Sequence, residues 1–202
     1  MSQATVVTPK LIAELRARTD AGMMDCKKAL EEAGGDLDKA TEILRKKNMT
    51  KADKRADRQA SQGVIESYVH FNGRVAVLVE LNCETDFVAR TDDFKALAKD
   101  IALHIASAAP LAVRIEDVPA EVLESEKRIY AAQVAEEKKP EAVKVKIVEG
   151  RLKKFYEERV LLEQKFVKDD TKTVGELVKQ VAATTGENVR VRRFTRFELG
   201  GS

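Results

Sequence analysis

Asp86 and Phe87 stand next to each other in the stretch of this sequence that is best suited to act on another molecule. They follow an apolar run, residues 74–81, that predicts a strand, and they precede Thr91, which has the pattern of a helix cap. A carboxylate beside an aromatic ring on so short a connection can enter a partner, where the ring displaces side chains and the carboxylate competes for their hydrogen bonds. Alternatively, Phe87 folds back into the core, as most phenylalanine side chains do.

Side chains for covalent or acid–base catalysis form no recognisable set in this sequence. It has two cysteines and two histidines, and it lacks a phosphate-binding glycine loop and the spacing of a metal site. Cys26 and Cys83 fall on different predicted elements, which favours reduced thiols, and His104 lies near an apolar helix face, where a core or boundary role is expected. The sequence therefore predicts a protein that is not an enzyme and binds no cofactor or metal.

The overall composition excludes several classes of protein. Lys and Arg number 36 against 34 Asp and Glu, and the resulting net charge of +2 argues against a general nucleic-acid coat. No apolar run approaches the roughly 20 residues needed to cross a bilayer, and residues 1–10 lack the apolar core of a secretory signal. We therefore expect a cytoplasmic protein of one or two domains that contacts neither membranes nor nucleic acid directly.

Residues 1–47 predict a small unit of three helices. Thr8 followed by Pro9 is typical of a helix start, Gly34 ends the second helix, and Asp36 caps the third. Three short helices bury little area, so this unit is expected to be marginal by itself.

Met23 and Met24 open the second of these helices, directly after Gly22. Two adjacent residues at a helix start cannot both face the core, so we expect one methionine inside the bundle and the other exposed beside Gly22. Methionine is flexible and polarisable, which suits an adaptable contact surface. Alternatively, both side chains merely fill gaps in the bundle.

Residues 48–62 are polar and have no apolar stripe, which predicts a charged linker, partly helical, that lets the bundle reorient. Residues 63–202 predict an α+β core domain, a small antiparallel sheet covered by helices. Asn72 and Gly73 predict a two-residue hairpin turn that places Tyr68 opposite Val77. The second face of this hairpin is mixed and is either partly covered or in contact with another chain. Its apolar residues are Ile65, Val69, Phe71 and Leu78.

The remainder of the core domain is predicted as helices, an extended segment and a final strand. Residues 92–108 form one helix, and residues 120–158 form a helical hairpin joined at residues 138–139, in which Gly150 suggests close packing. Residues 160–168 form either a short strand or an extended segment packed on the core. Residues 173–186 form a capped helix, and residues 189–198 form the last strand, with a bulge near Arg192 and Arg193. The arginines of that strand either bind RNA together with aromatic rings or simply point outward from an edge strand.

Three stretches resemble the elongation factor Ts family: residues 85–88 (TDFV), residues 19–30 (TDAGMMDCKKAL) and residues 146–157 (KIVEGRLKKFYE). They occur in the family's order and extend the resemblance over residues 6–198. Members of this family are guanine nucleotide exchange factors for the GTPase elongation factor Tu. The resemblance implies an α+β fold with a ubiquitin-associated-like bundle of three helices that docks on elongation factor Tu.

The resemblance also implies roles for particular residues. One set would form a tip that disturbs the Mg²⁺ site of elongation factor Tu: Asp86, Phe87, Val88 and Ala89. A second set would touch its nucleotide-binding domain: Gly22, Met23 and Met24. Longer family members carry two related core subdomains, whereas only one fits here, so we expect two chains to assemble as a homodimer. The alternatives are an RNA-binding translation accessory protein and a module that binds ubiquitin-like partners.

Overall fold

The structure, a computed structural model, describes residues 7–19, 21–53, 55, 57–136 and 139–201, with the backbone alone for residues 48–53. The start of the chain at residues 1–6 and the predicted hairpin junction at residue 138 lie outside this part. The helices are α1 (Pro9–Thr19), α2 (Met23–Glu32), α3 (Leu37–Asp53), α4 (Asp86–Ala89), α5 (Asp92–Ala108), α6 (Ala120–Ala135), α7 (Glu141–Arg159) and α8 (Val174–Thr185). The strands are β1 (Gln62–Val69), β2 (Val75–Cys83), β3 (Lys165–Phe166), β4 (Asp169–Thr173) and β5 (Arg190–Glu198). These elements confirm the predicted α+β class.

The first three helices pack into a small bundle with its own apolar core. One leucine from each helix is fully buried there: Leu15, Leu30 and Leu44. The predicted caps both form, since Leu11 N–H donates to Thr8 Oγ1 at 3.3 Å and Lys39 N–H donates to Asp36 Oδ1 at 3.0 Å. Local capping signals thus set where these helices begin.

Helix α3 joins the bundle to the core domain, because it continues past the bundle and packs on α8. A guanidinium nitrogen of Arg45 lies 3.1 Å from the Glu176 carboxylate, and Arg55 donates to the Ala182 carbonyl at 3.3 Å. The backbone of α3 runs to Asp53, so the first part of the predicted linker at residues 48–62 is helical.

The main sheet is antiparallel, with the strand order β1-β2-β5. Tyr68 pairs with Val77, so the predicted register is confirmed. The predicted two-residue turn is wrong, because Gly73 N–H donates to the His70 carbonyl at 2.8 Å and Asn72 keeps a negative φ. Of the two predicted turn residues, Gly73 (φ +67°) alone takes the left-handed conformation. The Asn72 side chain instead accepts from the Arg74 N–H at 3.0 Å.

The predicted bulge in the last strand is confirmed. Glu80 of β2 pairs with Arg193, whereas Leu81, the next residue, pairs with Val191. Arg192 is therefore the extra residue, opposite no single partner on β2.

The core of the domain lies between the inner face of this sheet and helices α5 and α8. Alternate residues of β2 point into it, as expected for a half-buried strand, and they are Val77, Val79 and Leu81. From α5 the core receives side chains at helical spacing, namely Phe94, Ile101 and Ile105. The core thus fixes the end of β2 and the start of α5, the two elements that flank the Asp86-Phe87 stretch.

His104 also faces this core and is almost completely buried. Val167 N–H donates to its Nδ1 at 3.2 Å, and its Nε2 lies 3.0 Å from Gln164 Oε1. Nδ1 is therefore the acceptor and Nε2 carries the hydrogen. Burial lowers the pKa of His104, against a smaller opposing effect of the bond to Gln164. The expectation of a core residue is confirmed.

The helical hairpin of α6 and α7 packs at its base around Phe155 and Val160. The close packing expected at Gly150 is wrong, because a Cβ added there would meet nothing within 4 Å. The glycine lies on an exposed face of α7 and has no neighbour that excludes a side chain.

After α7 the chain forms a second, two-stranded sheet. Its first strand, Lys165–Phe166, lies in the segment predicted as a short strand or an extended segment, and it pairs with Asp169–Thr173, which the sequence did not predict as a strand. The capping box of α8 does form: Glu176 N–H donates to Thr173 Oγ1 at 3.1 Å and Thr173 N–H donates to the Glu176 carboxylate at 3.0 Å. Gly186, with φ +74°, ends α8 as predicted.

Across the described residues, no helix is both long enough and apolar enough to cross a bilayer.

Candidate partner-binding site

A single helical turn, α4, carries the Asp86-Phe87 pair between the end of β2 and the start of α5. Two threonines delimit it. Val88 N–H donates to Thr85 Oγ1 and Phe94 N–H donates to Thr91 Oγ1, both at 3.4 Å. Because each cap starts a new helix, α4 is a separate short turn between the end of the central strand β2 and the start of α5. We call residues 85–90 the tip.

Phe87 points away from the core, since 80% of its surface is exposed. The alternative, in which the Phe87 ring packs into the core, is therefore wrong. An aromatic ring held in water forgoes burial worth about 1.5–3 kcal/mol, which makes it a candidate for contact with another molecule.

The other three predicted tip residues have different surroundings. Asp86 is exposed, and its Oδ2 accepts from Arg90 Nη2 at 2.8 Å. Val88 is half-buried and packs against the core, and Ala89 is buried in it. The tip thus presents Asp86 and Phe87 outward, while Val88 and Ala89 fasten it to the domain.

Cys83 lies directly beneath the tip, where its Sγ donates to the Thr85 carbonyl at 3.1 Å. Burial, with a smaller contribution from the Glu187 charge, raises the pKa of the Cys83 thiol to about 11. The protonated thiol is a packing group and not a nucleophile.

Glu187, which the sequence analysis missed, accepts three hydrogen bonds from the base of the tip. Its carboxylate accepts from the Glu84 and Thr85 N–H groups at 3.0 Å each and from Thr85 Oγ1 at 2.6 Å. Nothing local in the sequence marks this residue, because its partners lie more than a hundred positions away. Only its place after Gly186, where the chain leaves α8, hints at a turn.

The second candidate contact surface is the corner formed by Gly22, Met23 and Met24. Both methionines are exposed, Met23 by 60% and Met24 by 63%. The expectation that one of them is in the core is wrong, because the buried face of α2 begins only at Cys26 and the first turn extends beyond the bundle. Gly22 caps α2 with φ −60° and ψ 145°, a conformation open to any residue.

A groove of about 430 Å³ separates the bundle from the core domain. The end of α1 at Thr19, shortly before Met23, lines one side. Asp93, shortly after the tip, lines the other. The two candidate contact stretches therefore each lie within a few residues of one groove.

The outer face of the main sheet carries a group of exposed apolar side chains. They are Ile65 and Val69 of β1, Phe71 of the hairpin turn, Leu78 of β2 and Phe197 of β5. We call these five residues the sheet patch. Glu80 and Arg193 adjoin it with a 2.8 Å ion pair. A group of exposed apolar side chains on one sheet face is typical of protein interfaces.

The arginines of β5 have partners within the chain. Arg193 and Arg192 both approach the Glu80 carboxylate, at 2.8 and 3.6 Å. Arg190 donates to the Ala60 carbonyl at 3.2 Å, and Arg196 lies 2.6 Å from the Glu198 carboxylate. The bond from Arg193 also lowers the pKa of Glu80. These contacts favour the interpretation of an edge strand with paired arginines over an RNA-binding stripe.

Comparison with known proteins gives the same family as the motifs. The family model described as Elongation factor TS matches residues 38–201. Elongation factor Ts of Thermotoga petrophila is 57% identical over 194 residues, which is 96% of each chain. Elongation factor Ts of Thermosipho melanesiensis is 54% identical over 96% of this chain and 100% of the relative. That of Carboxydothermus hydrogenoformans is 56% identical over 96% of this chain and 90% of the relative.

These matches define the class of the protein, a factor of the elongation phase of protein synthesis. More narrowly, the chain belongs to the elongation factor Ts family. The bundle, the sheet and the exposed tip described above are thus features of a translation factor.

Proposed function

We propose that this protein is the guanine nucleotide exchange factor of elongation factor Tu, which it binds in the GDP form and from which it promotes GDP release. The observation that supports this most is the exposure of Phe87 on a turn whose base is fastened to the core through Val88 and Ala89. A rigidly mounted aromatic ring can act as a wedge. GTP then binds the emptied site. The protein itself makes or breaks no covalent bond in this process.

The wedge acts through the Mg²⁺ ion of the partner. Mg²⁺ requires nearly ideal octahedral geometry, so a small displacement of its ligands weakens its binding and that of the nucleotide. Burial of Phe87 between partner side chains contributes about 1.5–3 kcal/mol toward this displacement. Asp86 exchanges its bond to Arg90 for hydrogen bonds of the partner, at little cost because the ion pair is exposed.

Exchange requires that the factor bind the nucleotide-free partner more tightly than the nucleotide-bound one, because equal affinities would shift nothing. The tip provides this difference, since it fits only where the Mg²⁺ ligands have moved. The Gly22-Met23-Met24 corner provides a second contact on the nucleotide-binding domain. Because the two contacts belong to one chain, binding of one raises the effective concentration of the other near its site on the partner.

The sheet patch is proposed as the interface of a homodimer. Its five apolar side chains are exposed in the single chain, and a second copy of the same face removes them from water around a two-fold axis. The Glu80–Arg193 pair at its border favours one register over others. Assembly of this kind supplies a second core domain to the complex, and the dimer works in the cytoplasm, where translation elongation takes place.

The direct test is release of labelled GDP from elongation factor Tu with and without this protein, in excess unlabelled nucleotide. We expect a release rate that rises with the concentration of the factor and saturates. Removal of Mg²⁺ by a chelator should accelerate release from elongation factor Tu alone, and the further acceleration by the factor should then shrink. An unchanged release rate at saturating factor contradicts the proposal.

An RNA-binding accessory role is the second candidate, and it is weaker because the arginines of β5 are paired internally. Retention on RNA that falls steeply with salt would favour it. A module for ubiquitin-like partners accounts for the bundle alone and leaves the tip and the sheet without a role.

A further inference from the structure

The loop between α8 and β5 reaches across to the base of the tip through Glu187. Its Oε2 accepts both backbone N–H groups, of Glu84 and Thr85, and its Oε1 accepts the Thr85 hydroxyl. Glu187 is half-buried, so these bonds are partly shielded from water. One carboxylate thus fixes two successive peptide groups immediately before Asp86.

The contact is reciprocal. The Glu84 carboxylate accepts from Asn188 N–H at 2.6 Å, and the Asn188 side-chain amide donates to the Arg58 carbonyl at 2.7 Å. Each of the two loops therefore offers a glutamate to the backbone of the other. We call Glu84, Thr85, Glu187 and Asn188 the clamp. Such paired exchange restricts the motion of both loops more than a single bond would.

The backbone at this point needs an acceptor from outside. Strand β2 ends at Cys83 and α4 begins at Asp86, so neither the sheet ladder nor a helical turn provides one to the two N–H groups between them. The hydroxyl of Thr85 is also the cap of α4, because it accepts from Val88 N–H. Because the Thr85 hydroxyl donates its hydrogen bond to Glu187, its oxygen lone pairs remain available to accept from the Val88 N–H.

We propose that Glu187 is a positioning residue for the tip, a role that rests on the proposed exchange function. It orients the Thr85 cap, the cap orients α4, and α4 directs Phe87. A tip held in this orientation loses little conformational freedom when it enters the partner, whereas a loose tip must first be ordered. The clamp therefore governs how fast a bound complex releases GDP more than how tightly the complex forms.

The test compares Glu187→Ala and Glu187→Gln with the wild type in saturation curves of GDP release. Glu187→Ala removes the two carboxylate oxygens that accept all three hydrogen bonds, so the maximal release rate should fall about five- to twentyfold, as expected for one to two net hydrogen bonds. The half-saturating concentration should change less than about twofold. The glutamine keeps a carbonyl oxygen for the two backbone N–H groups and can donate to the Thr85 oxygen, so it should restore the rate to within about threefold of wild type.

Glu149→Ala is the matched control, because Glu149 is an exposed glutamate on α7, and it should leave both parameters unchanged. A Glu187→Ala variant with the wild-type maximal rate overturns the inference. A Glu187→Gln variant as slow as the alanine variant also overturns it, because the charge and not the hydrogen-bond geometry would then matter.

A second measurement needs no partner and separates this inference from the proposed function. Hydrogen exchange of the Glu84 and Thr85 amides, followed by NMR on the folded chain, should be slow in the wild type and at least about tenfold faster in Glu187→Ala. Fast exchange in the wild type overturns the clamp. If the two amides exchange their hydrogens slowly but the protein does not accelerate GDP release from elongation factor Tu, the clamp stands and only the proposed nucleotide-exchange function is rejected.

Discussion

Phe87 and Phe94 lie on the two sides of one short connection, and their rings have opposite surroundings: Phe87 is 80% exposed, whereas Phe94 is fully buried in the core. Phe87 lies on α4 and Phe94 on the first turn of α5, so the chain places one ring in water and the next one in the core. This contrast makes a sharp test of the tip.

Phe87→Ala should leave the free energy of unfolding nearly unchanged and slow GDP release from elongation factor Tu by at least about tenfold, since the wedge contributes about 1.5–3 kcal/mol. Phe94→Ala is the control for a structural role and should cost about 3–5 kcal/mol of stability. Denaturant unfolding and nucleotide release measure the two effects. Normal exchange by Phe87→Ala would reject the tip assignment.

Met23→Ser combined with Met24→Ser should weaken the complex with elongation factor Tu without lowering the melting temperature, because both side chains are already in water. Titration calorimetry measures the affinity, and we expect a loss of about tenfold. Val143→Ser with Val145→Ser, an exposed apolar pair on α7, is the matched control. If both double variants bind like the wild type, the methionine corner is not a contact surface.

Leu78→Lys, at the centre of the sheet patch, should shift the protein from dimer to monomer in sedimentation equilibrium. Leu78 is about half exposed in the single chain, so the charge costs little in the monomer and much in an apolar interface. Val167→Lys, at a similarly exposed position in the β3–β4 turn, should leave the association unchanged. A wild-type chain that stays monomeric at micromolar concentration and is fully active in exchange contradicts the proposed dimer.

Gly150→Ala should stabilise the protein by up to about 1 kcal/mol, because the glycine lies inside α7 with open space around it. Gly186→Ala is its counterpart. Its site is also open, but a φ of +74° strains an alanine, so it should destabilise by about 1 kcal/mol. Thermal unfolding of the two variants should therefore move in opposite directions. A destabilised Gly150→Ala would mean that α7 packs against something at this position in solution.

Stability should fall as the pH drops below the usual histidine value. Burial lowers the pKa of folded His104 below the 6.5 of a free histidine, so between the two values the unfolded chain holds the extra proton. The contribution is complete above pH 6.5 and is lost below it, by at most about 1.4 kcal/mol per pH unit for one proton. Denaturant unfolding from pH 7.5 to 5 measures this slope, which should be flatter in His104→Asn than in His70→Asn. Equal slopes in the two variants contradict the assignment.

The sequence predicted those features that depend on neighbouring residues. The capping box at Thr173 and the end of α8 at Gly186 involve contacts within one or two turns, and the register of Tyr68 on Val77 follows from a short hairpin. Strand β4 was missed because its residues are polar and its strand conformation depends on pairing with β3. Glu187 was missed for a related reason, because its role exists only once two distant loops meet.

The bulge at Arg192 has a consequence for the distribution of charge along β5. In a regular strand, consecutive side chains point to opposite faces. Here the extra residue brings Arg192 and Arg193 to the same carboxylate, that of Glu80, which sits between them. A single carboxylate thereby offsets one of two neighbouring positive charges and interrupts the run of positive charges along the strand. The extra residue thus gives the Glu80 carboxylate two arginine partners where a regular strand would present one.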